Sequence, residues 1–318
     1  MGEPAPLLSL PDDPPPAGTA AEWFAGEDGA RLRACLVPAA GACRGSAVLS
    51  PGRTEPIEKY FEAAGGLAAR GFTVLIHDWR GQGLSQRALA DRRLGHAAGH
   101  EPFVDDYRAL LQAFEARLPR PWLALGHSMG GCLTLLALAQ GENRMVGAIL
   151  SAPMLGLRTG AVPRPLAWVL AVGSRMLGLS GRAVMGQKPG GEPAPFAGNV
   201  LTHDEARYAR GVALVRAAPD LGLGPPTWGW LNFAFAATDL LATATGIASL
   251  EIPVTIVAAG EDALVDNIAL RRTAARLRRG RYVEIPGARH EILQETDALQ
   301  APFWAEFDAL AAAVAPVG

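Results

Sequence analysis

The stretch Trp122-Leu123-Ala124-Leu125-Gly126-His127-Ser128-Met129-Gly130-Gly131-Cys132 reads as an apolar strand, a glycine-flanked turn and the opening of a helix. A serine nucleophile needs its hydroxyl presented at such a strand-to-helix turn. Gly126 and Gly130 remove side chains that would clash there, and the helix N-terminus supplies positive potential. A Gly-x-Ser-x-Gly string by itself is a weak signal, because small residues are common. The strand before it and the helix after it make it specific.

Outward from this turn the chain alternates. Arg31 to Leu36, Gly45 to Leu49, Phe72 to Ile76, Val146 to Leu150, Val254 to Ala258 and Arg281 to Ile285 are short, mostly apolar runs bounded by Gly, Pro or charge. Such runs suit strands buried in a parallel sheet. Between them, Ile57 to Arg70, Phe103 to Leu118, Met129 to Gln140, Asn267 to Arg278 and Pro302 to Val314 carry apolar residues at helical spacing. The alternation predicts an α/β protein with a mostly parallel central sheet flanked by helices and right-handed crossovers.

One connection breaks the rhythm. About 100 residues separate the strand ending near Ser151 from the one starting near Pro253, far beyond the usual 2 to 6. The spacing predicts a discontinuous core, 1–155 with 253–318, and an inserted helical cap over 156–252. Within the insertion, Pro165 to Leu179, Leu201 to Arg216 and Pro226 to Thr243 read as helices and Gly186 to Gly198 as a Gly/Pro loop. The Pro-rich residues 1–18 predict a loose start.

Composition limits the function classes. Hydrophobic residues make up 49% of the 318 and charged residues 19%, which excludes a disordered, solvating chain. A net charge of -2 leaves no electrostatic footprint for nucleic acid. Cys35, Cys43 and Cys132 fit neither a disulfide framework nor a zinc pattern, which favours a reducing, cytoplasmic compartment. The N-terminus has no positive n-region, and Pro11 to Pro16 interrupts any apolar run, so no signal peptide is expected. The longest apolar stretch, Pro165 to Leu179, is broken by Gly173 and Arg175 and falls short of the roughly 20 residues of a membrane span. Peripheral contact with a membrane through the cap remains open to such a chain.

A serine hydroxyl is a weak nucleophile at neutral pH and needs a base, held in turn by an acid. For a serine at such a strand-to-helix turn the expected chain order is Ser, acid, His. Only His203 and His290 follow Ser128. His290 lies in a loop after the last β run, where a base can reach the carboxyl-end crevice. His203, beside Asp204 and Glu205 at a helix start, reads as a surface residue. Gly260-Glu261-Asp262-Ala263-Leu264-Val265-Asp266 offers the acid. Asp262 is the candidate, with Asp266 assigned to capping the following helix and Glu261 to solvent. The oxyanion needs two backbone N–H donors. Met129 supplies one and the loop Ser50-Pro51-Gly52-Arg53-Thr54-Glu55 the other, at Arg53. The Arg53 side chain is expected either to pair with Glu55, slightly the favoured reading, or to meet a substrate phosphate.

These residues resemble a known family. The Gly-His-Ser-Met-Gly-Gly turn, Asp78-Trp79-Arg80-Gly81-Gln82-Gly83-Leu84-Ser85, Gly260-Glu261-Asp262-x-x-Val265-Asp266-Asn267 and the late His290 are similar to the serine hydrolases of the α/β-hydrolase fold that include monoacylglycerol lipases and bacterial lysophospholipases. Pro51-Gly52-Arg53-x-Glu55 with Lys59-Tyr60, and Gly95-His96, are more similar to the lysophospholipase L2 branch; monoacylglycerol lipases usually carry His-Gly in place of Pro51-Gly52. The resemblance implies a triad of Ser128, Asp262 and His290 and an oxyanion hole of Arg53 and Met129. It implies a carboxylic-ester hydrolase acting on lipid-like esters, with no cofactor and no metal.

Other motifs read as structure. Arg80 to Ser85 lacks the third glycine and the following helix of a dinucleotide site, so a tight loop is expected. His96, His100, Asp105 and Asp106 fit no metal-ligand spacing, and helix-start carboxylates account for the aspartates. Cys132 reads as a buried small hydrophobe. Trp228, Trp230, Phe233 and Phe235 read as core or as the lining of an acyl site. The rival readings are a monoacylglycerol lipase or general carboxylesterase, a peptidase or acyl transferase, and a binding protein of the same fold without turnover. An aspartate-nucleophile enzyme is disfavoured because serine holds the turn.

Overall fold

The computed structural model describes residues 2–184 and 195–316. Its first elements are β1 (Ala20–Ala25), β2 (Arg31–Val37), β3 (Gly45–Ser50), α1 (Phe61–Ala69) and β4 (Phe72–His77). There follow α2 (Glu101–Phe114), β5 (Trp122–His127), α3 (Met129–Ala139), β6 (Met145–Ser151), α4 (Arg164–Met176), α5 (Glu205–Ala217) and α6 (Trp228–Thr243). The chain closes with β7 (Val254–Ala259), α7 (Asn267–Arg276), β8 (Gly280–Ile285) and α8 (Asp297–Val314).

The eight strands form one sheet in the order β1-β2-β4-β3-β5-β6-β7-β8. β1, β2 and β4 pair antiparallel, and every neighbour from β4 onward is parallel. All residues of β3 and β5 are buried, which is why their sequences are apolar without alternation. α1 and α8 cover one face, where Phe72 of β4 meets Phe307 edge-on; α2, α3 and α7 cover the other. This is the α/β class expected from the alternation of runs. Chain order reverses between β3 and β5, and Ser50 is in register with Gly126. Their exit loops therefore leave the sheet level with each other, at the switch point where ligands bind in open α/β sheets.

A buried ionic knot ties the antiparallel edge to the parallel part. Arg33 Nε donates to Asp78 Oδ2 at 2.7 Å and its terminal nitrogens donate to Glu58 at 2.8 Å, with all three side chains inaccessible. Asp78 also accepts from the Ile57 and Leu84 amides at 2.9 and 2.8 Å. The chain wraps this carboxylate so closely that a Cβ on Gly83, at φ +50°, would stand 2.1 Å from Asp78 Cγ. The glycines of the 80–85 string thus serve a tight loop.

Three expectations change. The segment before Gly18 is tied down: Ala5 and Trp23 amides bond Ala21 and Glu3 carbonyls at 2.9 and 2.8 Å, and Arg33 Nη1 reaches Pro6 O at 2.9 Å. Proline excludes helix but leaves an extended chain able to lie along a sheet edge. β1, absent from the apolar runs, exists because it is an edge strand whose exposed and buried residues dilute the apolar signal. α8 begins at Asp297 and carries Pro302 within its early turns. The expected loop over Gly186 to Gly198 lies largely outside the described residues.

Between β6 and β7, α6 faces two ways. Phe233, Ala234, Ala237 and Leu241 join the main core, whereas Trp228 and Phe235 pack with Ala167 and Ala171 of α4 in a small separate cluster. Trp230 is partly buried against the main core.

Candidate active site

Ser128 sits at φ +49° and ψ −118°, between β5 and α3. Such a conformation costs an L-residue on the order of 1–3 kcal/mol and persists only when its surroundings impose it. Here Ser128 N donates to Ser151 O at 3.0 Å and its carbonyl accepts from Met154 N at 2.9 Å. The flanking glycines are sterically required. A Cβ on Gly130 would lie 2.1 Å from Ser50 O, and one on Gly126 would lie 2.7 Å from Gly131 Cα.

The turn lifts Ser128 Oγ to 2.9 Å from His290 Nε2. The other ring nitrogen, Nδ1, is 2.7 Å from Asp262 Oδ2. Asp262 follows β7 and His290 follows β8, so three parallel strands, β5, β7 and β8, deliver the three groups to the same end of the sheet. Asp262 is buried, which by itself would raise its pKa. The hydrogen bond from His290 and the amides of Val265 and Leu264, at 2.9 and 2.8 Å from Oδ1, outweigh burial and hold the carboxyl below its ordinary 3.8. It therefore stays an acceptor and fixes Nδ1 as the protonated nitrogen, leaving Nε2 free to accept from Ser128. Asp266 accepts from Ile268 N at 3.0 Å as an N-cap. His203 lies away from this chain of bonds, against Glu295 Oε1 at 2.8 Å, and Glu261 is exposed.

The loop after β3 backs onto the same turn. Met129 N–H belongs to the first turn of α3, where helix amides lack an intrahelical acceptor, and among the described residues neither it nor Arg53 N–H has a protein acceptor. Gly52 packs so tightly that a Cβ would stand 2.9 Å from His127 Cδ2. Trp79 Nε1 holds Pro51 O at 2.8 Å, Gln82 brackets the loop through Gly52 O at 3.0 Å and Thr54 N at 2.8 Å, and Glu55 takes Gly52 N at 2.6 Å. Glu55 does not pair with Arg53: it is spent on Gly52, Lys59 Nζ at 2.8 Å and the Tyr60 hydroxyl, and the Arg53 side chain turns away toward α6.

This bracing was missed in the sequence, as was the charge cluster behind it. Lys59 Nζ also reaches Glu291 Oε1 at 2.6 Å, next in the chain to His290. Burial would raise the Glu55 carboxyl, but Lys59, His127 and Tyr60 hold it well below the usual carboxylate range. Glu291 is pushed up, by burial first and by the nearby Glu55 charge. The Glu55-x-x-x-Lys59 spacing was the available signal for half of the cluster.

Among the described residues no group of three or more His, Cys, Asp and Glu side chains could hold a metal ion. His96 Nδ1 is 2.9 Å from Thr227 Oγ1, and Asp106, expected to serve a helix start, pairs instead with Arg80. Cys132 is fully buried. No helix of the described residues is long and apolar enough to cross a membrane.

The sheet order and the strand–turn–helix at Ser128 define an α/β-hydrolase. The family model described as serine aminopeptidase, S33 matches residues 41–297, and the chain belongs to that family. The chain is 35% identical over 270 residues to lysophospholipase L2 of Escherichia coli strain K12, covering 80% of this chain and 76% of that one. It is 27% identical to the monoacylglycerol lipase of Mycolicibacterium smegmatis, over 86% and 91% of the two chains. The solved monoglyceride lipase of Saccharomyces cerevisiae shares the fold, with a TM-score of 0.73 at 19% identity over 90% of this chain and 93% of that one.

Proposed function

We propose that the protein is a lysophospholipase that cleaves the carboxylic ester through an acyl-serine intermediate, with Ser128, His290 and Asp262 as its triad. The hydrogen-bond chain from Ser128 Oγ to His290 Nε2 and from His290 Nδ1 to Asp262 carries the reading. Ser128 Oγ attacks the acyl carbon while its proton passes to His290 Nε2. The oxyanion is taken by the Met129 and Arg53 amides, each worth about 2.7–4 kcal/mol in such sites. His290 then protonates the departing glycerol oxygen, and water releases the fatty acid by the reverse path. Relatives named lysophospholipase and monoacylglycerol lipase support a lipid ester as substrate.

Residues 156–252 would form the cap of this site over a core of 1–155 and 253–318. Its α4 offers Leu166, Val169 and Met176, 51%, 56% and 83% exposed, and residues 157–184 hold four arginines and no carboxylate. An apolar face with a basic rim suits the surface of an anionic bilayer, where lysophospholipid resides. The three free cysteines fit a cytoplasmic setting for that contact.

The test is labelling with a fluorophosphonate, followed by turnover of lysophospholipids, monoacylglycerols and p-nitrophenyl esters of varied chain length. Wild type should label, Ser128→Ala should not, and long-chain lysophospholipids should lead. No labelling of wild type defeats the enzyme; acetyl esters outpacing every long-chain substrate defeats the lipid.

A further inference from the structure

We propose that the Arg53 side chain is a phosphate-binding subsite that reads the phosphodiester of the substrate; the inference rests on the hydrolase reading above. Arg53 is the residue whose main-chain N–H is assigned above to the oxyanion, an assignment that sets its guanidinium one side chain away from the reacting ester. From that position it runs toward the β6–β7 segment. Nη2 donates to Gly224 O, Cζ lies 5.1 Å from the centre of the Trp230 ring, and a Cβ on Gly95 would come within 2.7 Å of Nη2. At that distance the Trp230 ring attracts the guanidinium.

The anomaly is its charge. Fully buried Arg33 is neutralised by Glu58 and Asp78, and half-buried Arg80 by Asp106 and Asp28. Arg87 lacks a paired carboxylate but spends its terminal nitrogens on the carbonyls of Gly81, Gly83, Asp220 and Gly222. Arg53 has no carboxylate partner among the described residues, donates one hydrogen bond, and keeps its Nε buried with no acceptor. A guanidinium carries five N–H donors in a rigid fork matched to phosphate oxygens. Burial without a counter-charge already pulls its pKa down to about 10. An arriving anion would restore the missing partner.

The geometry selects among substrates. In a 1-acyl lysophospholipid, phosphorus is separated from the ester carbon by the same number of covalent bonds as separates an arginine's amide nitrogen from its Cζ. An ester carbon held at the Arg53 amide can therefore place its phosphate at the Arg53 fork. A monoacylglycerol presents only a hydroxyl there. The α-ammonium of an aminopeptidase substrate would be repelled.

The experiment compares kcat/KM for 1-oleoyl lysophosphatidylethanolamine and 1-oleoylglycerol, in the same mixed micelles, for wild type, Arg53→Met and Arg53→Lys. The main-chain N–H survives both substitutions, so the readout is the ratio between the two lipids. That ratio should fall at least tenfold in Arg53→Met and by less in Arg53→Lys, which keeps a point charge without the fork. A ratio unchanged within twofold, whatever the fall in both activities, overturns the subsite and leaves Arg53 a tie to Gly224. Should Arg53→Met not fold, Arg53→Lys still decides by the same ratio. Inhibition of wild-type 1-oleoylglycerol turnover separates the sources of phosphate. Glycerophosphoethanolamine should inhibit competitively at concentrations where inorganic phosphate does not; equal inhibition by inorganic phosphate overturns headgroup reading. Wild type that hydrolyses neither lipid overturns the underlying function instead, a result distinct from an unmoved ratio.

Discussion

Helices α3 and α4 have similar lengths, 11 and 13 residues, and both are written largely in Ala, Leu, Val and Gly. Every residue of α3 from Met129 to Leu138 is buried, whereas α4 buries only Ala167 and Ala171. α3 lies between the sheet and its neighbouring helices, so its apolar residues have protein on all sides and Ser128 at its start is fixed in a strained conformation. α4 leans on one face of α6 and leaves the rest of its apolar surface to its surroundings. Rigidity at the strand-to-helix turn and an open apolar helix face are thus two uses of one composition. An active site needs groups held in place; a surface that meets lipid needs unspent hydrophobic area.

The comparison breaks most easily at the chemistry. Asp262→Asn keeps the packing around β7 but lets His290 settle in the wrong tautomer, so kcat should fall by about 10⁴ with little loss of thermal stability. A fall of only a few-fold in steady-state kinetics would show that Asp262 is not the orienting acid. Next in size is the buried knot. Arg33→Met strands Asp78 and Glu58 without their cation and should destabilise the fold by about 3–5 kcal/mol in a denaturant titration. Activity per folded molecule should hold, because the knot touches none of the reacting groups.

The core should also soften with acid where α4 does not. Burial holds His77 down to about 3 and His127 down to about 4, from an ordinary 6.5. Both stay largely neutral in the folded protein as pH falls from 6.5 toward those values, while in the unfolded chain they take up protons there. The unfolded state then binds more protons, so this part of the stability is complete above pH 6.5 and is lost as pH falls toward the folded values. Unfolding midpoints in urea should drop over that window, and the double variant His77→Gln with His127→Gln should flatten the drop. The smallest effect on stability belongs to α4. Leu166→Ser with Val169→Ser, neighbours three residues apart on its exposed face, should change stability by no more than about 0.5 kcal/mol. Sedimentation with anionic vesicles should weaken in the same variant, and unchanged sedimentation would remove the bilayer from the proposed role of this face.

Much of the site was legible because each member of it announces itself locally. Ser128 and Asp262 each follow a fully buried strand and His290 follows the largely exposed edge strand β8, and strand ends in a parallel sheet meet at one end, so three local patterns plus a chain order suffice to bring them together. Asp266 as a helix cap was readable for the same reason. The bracing of the oxyanion loop was not. Lys59, bonded to Glu55, also reaches Glu291, 232 residues further along, and Arg53 reaches a carbonyl 171 residues away. The expected Arg53–Glu55 pair, drawn from nearness in the chain, lost to these distant partners.

By itself the sequence determined the alternation of buried strands and helices, the tight turn that exposes a serine, and the acid and base that follow in order, because short-range periodicity and glycine sterics are properties of adjacent residues. The tertiary structure alone decided which apolar helix is sealed and which is open, and which arginine is paired with carboxylates and which is left with donors to spare. Those outcomes depend on what the chain brings against a surface from far along its length, and no local pattern carries that information.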